Sequence, residues 1–219
     1  MRRLPGAAAG RQAAAKAGTP ALITSCGQSP GPTTVKVVMQ RLKLAYDIDP
    51  LATPATLRDK AKAGTPYQSL IIVMGASLKG MGAAGIAIED ELKRAADLIA
   101  EARKEGITII GAHVEGMKRR AQGAAAGDTT DEQSIDAVAP NSNILLVYKE
   151  GNADGRFSTI STGKKIPMVE VEKNLDLVAA LEAPEPRPGL RRLLGQRLDL
   201  GQRHAADDLH ISRLQVRDP

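Results

Sequence analysis

A chain of 219 residues with 42% apolar content can fold as one domain with a full core plus terminal extensions, and its core must be aliphatic, since Trp is absent and Phe157 is the only Phe. The single cysteine, Cys26, excludes an internal disulfide, and no apolar run approaches the roughly 18 residues that cross a bilayer. The formal charge of +5 lies in the ends: residues 21–183 carry 19 Lys plus Arg against 20 Asp plus Glu, so without a basic stripe or an aromatic platform the body is not expected to bind nucleic acid.

Residues 1–20, rich in Ala, Gly and Arg, read as a disordered extension. They contain no apolar segment of the kind a secretory signal needs, so the chain as written is expected in the cytoplasm, and an exported protein would need a different start. From 21 to 183, strand and helix signals alternate as in βαβ units, which predicts a single α/β domain. Strands are expected at 21–26, 43–47, 69–75, 107–113, 143–148 and 167–171, continuous aliphatic runs suited to a parallel sheet covered on both faces.

Between the strands, a helix at 35–42 follows the turn sequence SPGPTT, and Pro50, Pro54 and Pro66 confine another to 55–63. The strongest helical pattern places Ile88, Leu92, Ala95, Ala96, Ile99 and Ala102 on one face, with Glu89, Asp90 and Glu91 at its start and Arg103, Lys104 and Gly106 at its end. Thr130 with Gln133 forms a capping-box pattern before Ile135 and Val138, and Asn174 is placed to cap a helix carrying Leu177, Val178 and Leu181. Beyond EPRP, residues 184–219 form an Arg-rich tail, disordered or weakly helical around Leu190, Leu193, Leu194, Leu198 and Leu200.

These elements predict an α/β three-layer sandwich, flavodoxin-like or Rossmann-like, with a mostly parallel five- or six-stranded sheet. The strand order 2-1-3-4-5, with a sixth at the edge, is the first expectation. Ligands bind such sheets at the carboxyl ends of the strands, beside the reversal of strand order. There the sequence MGASLKGMGAAGI (74–86) reads as a glycine-rich loop opening onto a helix, an arrangement that lets backbone N–H groups approach an anion. Ser77, Lys79 and Gly80 are its candidate ligand contacts; Gln28, His113 and Asn152 would add orienting hydrogen bonds. Alternatively the glycines serve packing and Lys79 is solvated.

GMGAAG (80–85) matches GxGxxG by letter. Four residues separate it from the strand, however, and the acidic residue expected about 20 positions on is missing, so no dinucleotide or other cofactor is assigned. The Walker pattern fails because Met81 follows Gly80. Cys26, at a strand end before a helix, is a candidate nucleophile with His113 as base, or a small buried thiol. With His204 and His210 both in the tail, a zinc site is not expected. The basic run 116–128 is either a lid or a solvated connection, and Asn152 and Asp154 in KEGNADGRF (149–157) either meet a ligand or make Asx-turns.

Together TSCGQSP (24–30), GASLKGMGAAGI (75–86), GAHVEG (111–116) and KEGNADG (149–155) resemble a bacterial family known only as a domain of unknown function. The resemblance covers about 21–183 and implies a small α/β protein, often exported behind a signal peptide, with no established activity and therefore no catalytic roles to carry over. The N-terminus of this chain departs from the exported pattern.

Three functions fit these residues. The first is a module binding a small anionic or polar metabolite at the carboxyl rim; the second is a cysteine-dependent enzyme using Cys26 and His113. The third, a protein-interaction module without a small-molecule site, is preferred if the rim is filled by its own side chains.

Overall fold

Six strands pair side by side, all parallel. They are β1 (Ala21–Cys26), β2 (Tyr46–Ile48), β3 (Ser69–Met74), β4 (Thr108–His113), β5 (Ile144–Tyr148) and β6 (Met168–Val171), in the order β2-β1-β3-β4-β5-β6. The computed structural model describes residues 17–120, 129–173 and 176–181. Seven helices are present among them: α1 (Gly31–Arg41), α2 (Pro54–Lys62), α3 (Leu78–Ala84), α4 (Ile88–Lys104), α5 (Thr130–Val138), α6 (Arg156–Lys164) and α7 (Asp176–Leu181).

Side chains alternate across each strand, so one sheet builds two cores. Leu22, Leu70, Ile72, Ile109 and Leu145 pack with Leu57, Leu98, Ile99, Ile135 and Phe157, which places α2, α4, α5 and α6 on one face. Ile23, Ile71, Val73, Ile110 and Leu146 pack with Val35, Met39, Leu177 and Leu181, which places α1 and α7 on the other. The result is the expected three-layer sandwich, with a flavodoxin-like strand order. Truncating a buried β3 residue such as Ile71 or Ile72 to Ala removes contacts with the helices of one face and costs about 2–5 kcal/mol.

Several local expectations need correction. Residues 78–84 are not a loop but the helix α3, because Ser77 caps it and Gly85, at φ 66°, ends it in a left-handed conformation. The second strand is displaced from 43–47 to Tyr46–Ile48, and α1 begins at Gly31, so the Pro-rich turn supplies its first turn. α6, poor in apolar periodicity, was not anticipated; one large residue, Phe157, fully buried, anchors it. α5 starts at Thr130 with Thr129 as its N-cap, so the Thr130–Gln133 box is not the one used, whereas Thr53 and Thr56 form a box on α2. The expectations for the first sixteen residues, for the cap at Asn174, for 121–128 and for the tail 184–219 fall outside the described residues.

Candidate functional site at the carboxyl edge of the sheet

Strand order reverses at β1, so the loops after β1 and β3 face each other across the crevice where such sheets bind ligands. Here those loops are tied together. Gln28 and Ala76 form an antiparallel bridge, and the Ser77 N–H donates to the Gly27 carbonyl at 2.7 Å. Gly80 packs so tightly on this junction that a Cβ there would stand 2.1 Å from the Gln28 carbonyl oxygen, which explains the glycine. Its N–H donates to Ser77 Oγ at 3.1 Å, so two of the expected anion contacts satisfy each other. Lys79 is exposed beside them.

Beneath this junction lies an ion pair that the sequence reading did not single out. Glu91, fully buried, accepts from the Gly27 N–H at 2.8 Å, from Gln28 Nε2 at 2.8 Å and from Arg94 Nε at 2.8 Å. Arg94 also donates to the carbonyls of Ala52 and Ser25, and Gln28 Nε2 to that of Pro50. Burial raises the Glu91 pKa, but Arg94 and the N–H donors outweigh it and hold the carboxyl below its usual range. The Gln28 amide is thus a brace for the loop. Cys26 lies in the same core, fully buried; burial pushes its thiol up to about 12, against a partial downward pull from Ser134. A thiol in that state is protonated at neutral pH.

The β4 and β5 ends carry the second cluster. His113 is fully buried with its ring 5.0 Å from that of Phe157. Its Nε2 lies 3.1 Å from the Arg119 carbonyl, which can only accept, so this nitrogen bears the proton. Burial, aided by the charge of Arg120, lowers the imidazole pKa and keeps the ring neutral, although the Arg119 carbonyl opposes this. Nδ1 faces Gly151 without a partner.

Arg120, almost wholly buried, forms salt bridges with Glu132 at 2.7 Å and Asp154 at 2.6 Å, donates to the Gly151 carbonyl and lies over the Phe157 ring. That guanidinium holds the Asp154 carboxyl at about 2. Arg156 adds pairs to Glu132 and Asp136. Asn152 accepts from the Phe157 and Ser158 N–H groups at the start of α6 and donates to Ser158 and Glu170. Asn152 thus caps the start of α6 rather than making an Asx-turn, which Asp154 makes by accepting from the Arg156 N–H at 3.2 Å, and the first part of the basic run is bound structure rather than a solvated connection: Gly116–Arg119 is a 3-10 turn that delivers Arg119 and Arg120 into ion pairs.

The fold brings the predicted residues to one edge but divides them into two sets, Gln28 with Ser77 and Gly80, and His113 near Asn152. Among the described residues no hydrogen bond joins the sets. Arg119 spans them, donating to the Ala76 carbonyl at 2.8 Å through Nη1 and to Glu115 at 3.3 Å through Nε, while its own carbonyl receives His113. Glu91, Arg94, Glu115, Arg119 and Arg120 were not among the predicted site residues. The spacing of Glu91 and Arg94 by three was a legible helical-pair signal, but its inward direction was not. Among the described residues no group of three or more His, Cys, Asp or Glu could hold a metal ion, and no helix is long and apolar enough to cross a membrane.

A doubly wound parallel α/β domain with a polar, arginine-organised carboxyl edge is the class that these features define. The chain belongs to the family of the domain of unknown function DUF6305, which matches residues 18–184. No curated protein matches. Among solved structures, the chain is similar to TesA at 14% identity over 77% of this chain and 87% of that one, with a TM-score of 0.30. It is also similar to AlinE4, an SGNH-hydrolase family esterase, at 12% identity over 85% and 97%, with a TM-score of 0.27. At such TM-scores neither likeness bears on activity.

Proposed function

We propose that the domain is a binding module for a small anionic or polar ligand at the carboxyl edge of its sheet. One observation carries this reading: the buried polar atoms Ser25 Oγ, His113 Nδ1 and Glu115 Oε2 lack hydrogen-bond partners, and all three lie at the carboxyl ends of β1 and β4. An unsatisfied buried polar group costs about 1–3 kcal/mol; His113 Nδ1, whose ring carries its proton on Nε2, and the Glu115 carboxylate oxygen both accept, so these two support a polar ligand that donates hydrogen bonds, and Ser25 Oγ can meet either kind of group. Arg119 contributes positive charge there, and exposed Lys79 contributes it on the α3 side.

The roles expected of Ser77, Gly80, Gln28 and Asn152 are better described as holding the edge in shape. A thermal-shift screen of acetate, phosphate and small dicarboxylates, each against chloride at matched ionic strength, tests the reading. The expected result is a saturable rise in Tm with at least one oxyanion, reduced by Lys79→Ala; an unchanged shift in that variant would count against the role of Lys79. Responses no larger than that of chloride across the panel would overturn it.

A second reading rests on a different observation, the exposed apolar side chains Ile48, Leu51 and Leu78 at the carboxyl ends of β2 and β3. They favour a protein partner at the same edge if the ligand screen fails. The buried, protonated Cys26 thiol gives no support to a cysteine-dependent enzyme.

A further inference from the structure

His113 stands where two short turns meet the end of β4, and its ring touches both. On one side Nε2–H donates to the carbonyl of Arg119, the last residue of the 3-10 turn Gly116–Arg119. On the other the ring lies against the turn Lys149–Asn152: a Cβ on Gly151 would stand 2.5 Å from Nδ1 and 2.7 Å from Cε1, so glycine is required there. That Cβ would also be 3.5 Å from Gly116 Cα, and the Gly151 carbonyl accepts from Arg120, so the two turns pack on each other as well as on the ring.

Within themselves the turns are weakly held. The Arg120 N–H reaches the Met117 carbonyl at 3.3 Å and the Ala153 N–H the Glu150 carbonyl at 3.3 Å, long bonds of the poorer geometry usual in 3-10 turns. Their attachment to the sheet leans on the side chains of His113, Arg119 and Arg120.

Each element packed on the ring brings its own charges. Arg120, after the first turn, adds positive charge; Glu115, two residues past His113, and Glu132 on α5 oppose it, but they are paired with Arg119 and with Arg120 and Arg156. From α6 comes the Phe157 ring, over which Arg120 also lies, and from the second turn Glu150, whose carboxylate is set against Gly116. Asp154 is held by Arg120. The neutral ring suits this enclosure. A protonated ring would turn a second N–H towards Gly151, where Nδ1 has no partner among the described residues, and would put a second positive charge beside Arg120.

We propose that His113 is an acid-released latch, whose protonation parts the turns 116–119 and 149–152 and frees Arg119 and Arg120 at the carboxyl edge before the rest of the domain unfolds. Opening requires no ligand. Because burial keeps the closed ring neutral, the proton is taken up in the open form. Acid therefore favours opening, about tenfold per pH unit below the ordinary 6.5 until the lowered closed-state value is reached.

Amide hydrogen exchange of the full chain, read by mass spectrometry from pH 7 to about pH 5 and corrected for the intrinsic pH dependence of exchange, is the test. Protection of segments 114–120 and 149–157 should fall by about tenfold per pH unit and stay well below that of β1 and β3 throughout. His113→Gln keeps a donor for the Arg119 carbonyl but does not titrate, so the pH dependence of both segments should vanish. Protection that is independent of pH in wild type, that equals the protection of β1 and β3, or that keeps its slope in His113→Gln would overturn the latch.

If His113→Gln does not fold, the ring nitrogen shifts of wild-type His113 replace it. The ring should remain the neutral Nε2–H tautomer while the turns are protected and gain charge only as their protection is lost. A ring that becomes charged while both turns stay protected overturns the proposal.

Discussion

Two arginines, Arg120 buried and Arg94 largely so, organise the carboxyl edge, and they do so under different conditions. Arg94 meets a fully buried carboxylate whose Oε1 also accepts from the Gly27 N–H and Gln28, so at the β1 and β3 loops the charged groups and their neighbours are matched in one network. Arg120 instead balances Glu132 and Asp154, which are partly open to solvent, beside a histidine with an unpartnered nitrogen. The first region resembles a finished piece of core, whereas the second, with Glu115 and Arg119 between, retains polar capacity that the chain itself does not use. A ligand gains little at a matched network and more at an unmatched one.

Breaking the matched network should have the largest effect. Glu91→Ala leaves the Arg94 charge buried without its anion and frees the β1 loop, a loss of about 3–5 kcal/mol in urea denaturation. A loss below one kcal/mol would mean that the network is dispensable. Arg120→Ala is expected to cost less, about 2–3 kcal/mol, because Asp154 and Glu132 can recover water; a cost exceeding that of Glu91→Ala would reverse the comparison.

His113 sharpens the contrast through pH. Its folded-state pKa lies below the ordinary 6.5, so as pH falls through that value the unfolded chain takes up a proton that the folded ring refuses. Stability should therefore decline from pH 7 towards the lowered folded pKa, and His113→Gln should flatten that part of the profile. An unchanged slope would show that the ring is not held neutral. The smallest response is expected of Cys26: with its thiol near 12 and fully buried, alkylation of the native protein at pH 8 should be negligible and should appear only with urea unfolding. Rapid native modification would restore Cys26 as a reactive group.

The legible parts of the fold share one cause. β1, β3, β4, β5 and β6 lie within a residue of their expected positions because a strand buried on both faces must be aliphatic throughout, and α4 declares itself by its apolar face and its charged ends. α6 lacked such a signal: its contact with the core is concentrated in Phe157, and Asn152, apart from the helix itself, caps it. Among the site residues, the edge to which Gln28, Ser77, Lys79, His113 and Asn152 come was predictable from strand polarity. Their partners were not. Gly80 reads equally well as an anion contact or as space for the Gln28 carbonyl until the two loops are seen to bridge.

By itself the sequence determined the parallel α/β sandwich, its carboxyl edge and the family, because aliphatic runs, helical periodicity and short motifs are properties of neighbouring residues. Only tertiary structure decided which polar groups are spent on one another. Glu91 meets Gly27 across 64 positions and Ser134 meets Cys26 across 108, and a hydrogen bond between such distant groups depends on how the layers pack, not on local pattern.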